Sequence, residues 1–144
     1  MKQRKTNARV RPQRVDAKQI RAFVENAAKK LEAARTTSSI AADAAYELAY
    51  GAMVKAALAL MLSHGQRPRA LPGHHELIIQ FAEQNLPNAS VGMFAMFDRM
   101  RRKRSEVFYD IGIVGEVELD SALATAKEFL SLVQAEINRR HPST

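Results

Sequence analysis

The chain has 144 residues, about the length of one domain, and it contains no cysteine, which excludes disulfides, thiolate metal sites and a cysteine nucleophile. Its formal net charge is +7, but residues 1–14 carry six basic side chains and no acidic one. Most of the net charge therefore belongs to one terminal segment, and the basic isoelectric point describes that segment more than the body of the protein.

Residues 1–15 lack hydrophobic periodicity, so we expect a basic flexible arm. It acts either as a solubilising tail or as an arm that seeks phosphate. No apolar segment follows the basic start as it would in a secretory signal, and the absence of cysteine fits a reducing compartment. We therefore expect a cytoplasmic protein.

The first helix has three start signals. Asp16 is placed to cap it, Gln19 completes a capping box, and Val15 faces Ile20 as a hydrophobic staple. Apolar residues then recur at helical spacing, which predicts a helix from about residue 17 to residue 35.

The second helix is expected to start at Ser38 or Ser39 and to run over residues 40–63. It is rich in alanine and apolar nearly all round, which is typical of the central helix of a bundle. Charged residues interrupt it, so we expect no membrane span. Tyr46 and Tyr50 lie four residues apart on one side; they either pack at the rim of the core or line a cleft with their hydroxyls.

Three further helices follow. A short one is predicted over residues 74–84, a fourth begins after the capping residue Ser90 and ends near Tyr109, and a fifth begins at Asp120 or Ser121. No segment resembles a strand longer than residues 111–114. Residues 16–141 are thus predicted to form an all-α domain, an up-and-down four- to five-helix bundle.

The fourth helix carries the most informative charges. Arg101 and Arg104 fall within its apolar stripe, whereas the flanking residues Arg99, Arg102 and Lys103 project to the solvated side. A guanidinium on a core-facing stripe needs a partner. Two alternatives stay open. The arginines either pair internally with an acid of the second helix, such as Asp43 or Glu47, or they line a groove that binds phosphate. Such a groove could also lie between two subunits.

The sequence lacks the motifs of several common catalytic and ligand-binding sites. The chain has no glycine-rich phosphate loop, no serine nucleophile elbow and no zinc-binding histidine helix. His74, His75 and Glu76 are consecutive, so their side chains diverge around the helix and do not converge on a metal. We expect neither a metal nor a cofactor, and we interpret His74 either as an exposed residue at a helix start or as part of a cleft.

The order of these elements resembles the HEPN superfamily of small prokaryotic helical domains. The resemblance rests on AYELAYGAMVKAALALML in the second helix, GHHELIIQF in the third and RRKRSEVFYD at the end of the fourth, and it covers residues 16–140. It implies a four- to five-helix bundle, often a homodimer through the fourth helix. Many members are ribonucleases or toxin components, and many occur beside a nucleotidyltransferase-type partner that acts as the antitoxin.

The resemblance also implies a site. The family's nuclease motif is an arginine followed, after four to six residues, by a histidine that works without metal. Arg104 matches the arginine, but Tyr109 occupies the place of the histidine. A neutral tyrosine with a pKa of about 10 is a poorer general base than imidazole.

Three hypotheses follow. The leading one is a non-catalytic dimeric module that binds RNA, a nucleotide or a cognate protein through Arg101, Arg104 and Tyr109, with Tyr46, Tyr50 and His74 as further candidate binding residues. The alternative is a metal-independent endoribonuclease of toxin type, with Arg104 stabilising phosphate charge and Tyr109 or His74 moving the proton. The third is a structural protein whose arginines pair with an acidic partner or with a second copy of the chain.

Overall fold

Five helices and one small two-stranded sheet make up the protein in the computed structural model, which describes residues 10–69, 74–109 and 111–142. In chain order they are β1 (Val10–Pro12), α1 (Ala17–Thr37), α2 (Ala42–Ser63), β2 (Gln66–Pro68), α3 (His74–Asn85), α4 (Val91–Tyr109) and α5 (Glu116–Arg140). The all-α bundle predicted from the sequence is confirmed, with the sheet as an addition.

Helix α1 begins where its sequence predicts. The Asp16 carboxylate accepts hydrogen bonds from the backbone N–H groups of Lys18 at 2.9 Å and of Gln19 at 3.4 Å. These bonds satisfy two of the N–H groups that a helix start leaves without an internal partner. The inward face of α1 is buried through Ile20, Ala27, Leu31 and Ala34.

Helix α2 begins later than predicted. Its N-cap is Ala41, which makes no capping hydrogen bond with its side chain, so the expected cap at Ser38 or Ser39 is wrong. The Ser38 hydroxyl instead donates to the carbonyl oxygen of Arg35 at 2.7 Å, and the Ser38 N–H bonds the same oxygen. Ser38 therefore closes α1 and leaves α2 uncapped.

Helix α2 is the central helix, as predicted, and packs against α1, α3, α4 and α5. Its alanines let these neighbours approach closely, because Ala45, Ala49, Ala52, Ala56 and Ala59 are all buried. By length and composition α2 is apolar enough to cross a membrane, but 67% of the relevant segment is buried inside the protein. Burial within the bundle accounts for its apolar character.

The small sheet was not predicted. Strands β1 and β2 pair antiparallel, with Arg11 directly opposite Arg67. Gly65 makes the tight turn before β2 with a φ of 71°, and its carbonyl oxygen accepts a bond of 2.9 Å from the N–H of Gln13. The expected flexible arm is therefore wrong for residues 10–12, and residues 1–9 lie outside the described part of the chain.

The start of α4 is confirmed and the start of α5 is not. The Ser90 hydroxyl accepts the N–H of Met93 at 3.2 Å, as a capping residue should. Helix α5 begins at Glu116, four residues before the predicted start at Asp120. Its first turn holds Glu116 and Glu118, and negative charge at that end suits the helix dipole.

The connection between α4 and α5 has no regular structure over residues 111–115, so the short strand considered there does not form. Gly112 packs closely on the last turn of α4, because a Cβ added to it would lie 2.9 Å from the backbone of Val107. Only glycine fits this approach without a shift of the chain.

Candidate functional site

Three helices bring one aromatic and two basic side chains around a histidine. Tyr50 comes from α2, His75 from the first turn of α3, and Arg101 and Arg104 from α4. We call these four residues the α2–α4 cluster. They meet because α3 and α4 both pack against α2 and against each other.

Tyr50 forms the base of the cluster. It is 1% exposed, and its hydroxyl lies 2.7 Å from Nδ1 of His75. Its ring also packs edge-on against Phe97, with ring centres 5.9 Å apart. Burial raises the pKa of Tyr50 to about 12, although Arg104 and Arg101 oppose the rise. The hydroxyl therefore stays protonated near neutral pH and orients the imidazole.

Arg104 lies above this base. Its guanidinium carbon is 5.8 Å from the centre of the Tyr50 ring, within the range of a cation–π contact. The Arg104 side chain is partly exposed, so its guanidinium contacts the tyrosine ring and also remains accessible to solvent. A partly exposed guanidinium in this position can be approached by a ligand from solvent.

Arg101 is held by carboxylates. Its Nη2 lies 3.3 Å from Glu76 of α3, and its Nε donates to Asp98 at 2.9 Å. The pairing with Asp43 or Glu47 considered from the sequence is therefore wrong for Arg101, because the acids that reach it come from α3 and from its own helix. Its side chain remains 27% exposed, so the ion pair with Glu76 is in contact with water.

His75 is the member of the cluster that the sequence analysis did not single out. Burial, and to a smaller extent the nearby His74, Arg104 and Arg101, lowers its pKa from 6.5 to about 4. The imidazole is therefore neutral near pH 7 and can both donate and accept a hydrogen bond. A signal for it was present: His75 lies three and four residues before Ile78 and Ile79, both buried, so it shares their inward face.

His74 faces a different side. Its ring packs edge-to-face on His75 with centres 4.6 Å apart, and it lines a cavity beside the β1–β2 sheet. His74 thus lies next to the α2–α4 cluster, but His75 makes the contact with Tyr50.

Tyr46 does not line a cleft. It is 0% exposed, and its hydroxyl has no hydrogen-bond partner among the residues that the structure describes. Burial raises its pKa to about 12, and Glu118 adds to the rise. The interpretation of Tyr46 as a binding residue is therefore corrected to that of a core residue.

The end of α4 differs from expectation in two places. Tyr109 is 83% exposed at the last position of the helix, whereas Tyr50 is buried. Lys103, expected on the solvated side, is only 18% exposed and pairs with Glu106 at 3.6 Å and with Glu118 at 3.8 Å. Lys103 therefore links α4 to the start of α5. Arg99 and Arg102 are exposed as predicted.

The fold and the cluster together define a small all-α bundle with a basic and aromatic site where its second, third and fourth helices meet. The family model of the HEPN domain matches residues 20–137, which is most of the chain. The protein therefore belongs to the HEPN family, and this membership is consistent with an RNA-related or nuclease-like module. A search of curated proteins finds no significant match.

Proposed function

We propose that this protein is an RNA-binding HEPN module whose α2–α4 cluster holds a phosphate of the RNA. The observation that carries the proposal is the pair of partly exposed arginines, Arg101 and Arg104, which lie close enough to a neutral histidine, His75, to lower its pKa. Guanidinium groups bind phosphate with two parallel hydrogen bonds, and a neutral imidazole adds a third polar group without competing charge.

The contact with Tyr50 favours Arg104 as the main phosphate-binding residue. Tyr50 beneath Arg104 fixes the position of the guanidinium, so less freedom is lost when a ligand binds. Glu76 and Asp98 neutralise Arg101 in the free protein, and a phosphate has to compete with them. We assign the stronger phosphate contact to Arg104, because the Tyr50 ring positions its guanidinium.

Binding fits the cluster better than catalysis. A general base works best when its pKa is close to the operating pH, and His75 with a pKa of about 4 is a weak base. The same pKa leaves almost no imidazolium near pH 7 to act as an acid. Tyr109, where the nuclease motif has its histidine, exposes most of its surface at the end of α4.

A metal-independent endoribonuclease remains the second candidate, and His75 gives it a specific basis. A histidine beside Arg104 supplies from α3 the residue that the motif lacks on α4. A bound phosphate would raise the pKa of His75, because it adds negative charge beside the ring. This candidate requires RNA cleavage in EDTA that disappears in both Arg104→Gln and His75→Gln.

The proposal includes a homodimer. Large apolar side chains are exposed at the end of α4, in the connection that follows and at the start of α5, namely Tyr109, Ile111, Ile113 and Val117. Exposed apolar residues that cluster in one region are typical of interaction surfaces. A second copy that covers them would bring its own α4 close to the first. The nucleotidyltransferase-type antitoxin and the cytoplasmic location stay predictions from the sequence.

The experiment is a titration of single-stranded RNA against protein that lacks residues 1–9, at a series of salt concentrations. Removing only these residues keeps β1 and takes away four basic side chains that could bind RNA without specificity. The proposal requires affinity that falls steeply as salt rises, since phosphate contacts release counterions. Undetectable binding by the truncated protein would contradict it.

A further inference from the structure

A groove with a volume of about 440 Å³ lies between the start of α1 and the end of α5, which pack against each other. We call it the α1–α5 groove. Its floor is apolar and includes Val15, Ile20 and Val24 at the start of α1 and Ile137 of α5. Val15 is 44% exposed, so the groove leaves a large apolar side chain in contact with water. No residue of the α2–α4 cluster lines the groove, so it is a separate surface.

The rim of the groove is polar and basic. Arg21 lines it from α1, and His141 lines it from the position just after α5. The His141 ring is held at this end of the groove, because its Nε2 donates to the carbonyl oxygen of Ser63 at 2.6 Å. Gln134 and Asn138 add amide groups from successive turns of α5. The apolar floor is therefore bordered by positive charge and by groups that can form hydrogen bonds.

The positive charge at the groove is not balanced by acids of the same surface. No acidic residue lines the groove. The Asp16 carboxylate caps α1, and Glu136 of α5 pairs with Arg139. None of the described carboxylates makes an ion pair with Arg21. Further basic residues flank the lining residues in the sequence, namely Arg14, Lys18 and Arg140. A partner with negative charge is therefore complementary to this rim.

Two common modes of binding a partner segment do not fit the groove. Its walls are helices, whose backbone groups bond internally, so there is no sheet edge to which an extended strand could add. No aromatic side chain lines it, whereas a polyproline segment or a nucleic-acid base needs an aromatic surface to pack on. A third mode, in which an amphipathic helix lays its apolar face into a groove, requires only an apolar floor with polar borders.

The length of the groove matches one face of a short helix. Its lining extends from Ala17 to Val24 on α1, a rise of about 10 Å at 1.5 Å per residue. Apolar anchors at positions i, i+3, i+4 and i+7 of a bound helix span the same distance. We propose that the α1–α5 groove binds an amphipathic helix of a partner protein. The apolar anchors of that helix lie on the floor, and its acidic side chains lie beside Arg21 and His141.

The probe for this proposal is a synthetic helical peptide with leucine at positions i, i+3, i+4 and i+7 and glutamate on both sides of this apolar face. Fluorescence anisotropy measures its binding to the full chain. We expect a dissociation constant of about 100 µM or lower. A scrambled peptide of the same composition, and a peptide with lysine in place of glutamate, should each bind at least about tenfold more weakly. The first control separates the apolar face from charge alone.

Variants of the protein locate the site. Arg21→Glu should weaken peptide binding about tenfold or more. Lys29→Glu is the matched control, because it makes the same charge change at an exposed position of α1 outside the groove; its affinity should fall by less than about threefold. Val15→Thr should weaken binding about threefold, since it removes apolar contact from the floor. Val91→Thr, at an exposed valine of α4, should leave it unchanged.

Other occupants would give different results, and each would overturn the proposal. Decanoate that binds more tightly than the peptide and depends on Arg21 would identify a fatty-acid site. RNA affinity that falls in Arg21→Glu but not in Lys29→Glu would identify RNA as the ligand of the groove. A dimer that dissociates in Val15→Thr but not in Val91→Thr would identify a second copy of the chain. No binding of the amphipathic peptide at about 1 mM, equal affinity for the scrambled peptide, or binding indifferent to Arg21→Glu would also overturn it.

Discussion

The hydroxyl of Tyr50 lies 2.7 Å from Nδ1 of His75 and joins the central helix of the bundle to the first turn of α3. Tyr50 is buried and His75 is half-buried, so loss of either group would leave the other without this hydrogen bond. The contact orients the imidazole, whose pKa is lowered by the nearby Arg101 and Arg104. The contact between Tyr50 and His75 therefore contributes both to the stability of the fold and to the geometry of the site.

Two tyrosines of α2 allow a matched test of this contact. Tyr50→Phe should lower the free energy of unfolding by about 1–3 kcal/mol, because it leaves Nδ1 of His75 without its partner. Tyr46→Phe should change it by less than about 0.5 kcal/mol or raise it, because the Tyr46 hydroxyl is buried without a partner among the described residues. Urea unfolding of both variants measures the difference. Equal destabilisation would show that the contact with His75 does not matter.

The two histidines with lowered pKa values predict how stability depends on pH. Burial lowers the pKa of both His64 and His75 from 6.5 to about 4, so between these values the unfolded chain binds more protons than the folded one. Their contribution to stability is therefore complete above a pH of about 6.5 and is lost as the pH falls toward about 4. Replacing both histidines by glutamine should flatten this part of the profile.

Urea midpoints across that pH range measure the effect, and NMR titration of the imidazole Cε1–H signals measures the pKa values directly. The signals of His64 and His75 are assigned by their disappearance in His64→Gln and His75→Gln. A signal of His75 that titrates near its ordinary value of about 6.5 would contradict its partial burial beside Tyr50.

Glu76 should lower the affinity of the protein for RNA. Glu76→Gln removes the carboxylate that neutralises Arg101 from α3, so RNA affinity should rise about threefold to tenfold. Stability should fall by less than about 1 kcal/mol, because the pair is in contact with water. Glu83→Gln is the control: it removes the same charge from an exposed position on α3 that makes no ion pair with Arg101. A similar rise in both variants would mean that only net charge matters.

The periodic features of the chain were predictable from its sequence. The capping side chain of Asp16, the burial of α2 and the helical stripe of α1 all follow from local spacing, and the structure confirms them. The starts of α2 and α5 were predicted wrongly. Near each start, a polar residue has a side chain that could cap a helix, but that residue does not cap the helix in question. Ser38 bonds back to α1, and Asp120 lies inside a helix that already begins at Glu116.

The site was predictable only in part, since its members come from three helices. The stripe of α4 identified Arg101 and Arg104 as inward residues, but only the packing of α3 shows that Glu76 reaches Arg101. The choice between His74 and His75 depends on the rotation of α3, which is set by the burial of Ile78 and Ile79. The pairing of Arg11 with Arg67 joins segments more than fifty residues apart, and no local pattern reveals it.

The most direct test of the central claim is the RNA affinity of Arg104→Gln compared with that of Arg102→Gln. Both variants remove one guanidinium from α4, but Arg104 lies over Tyr50 whereas the Arg102 side chain is 67% exposed and pairs with Asp98. The account predicts a loss of about tenfold or more and a salt slope reduced by about one for Arg104→Gln. For Arg102→Gln it predicts a change of less than about threefold. Equal losses in the two variants, or none in either, would contradict it.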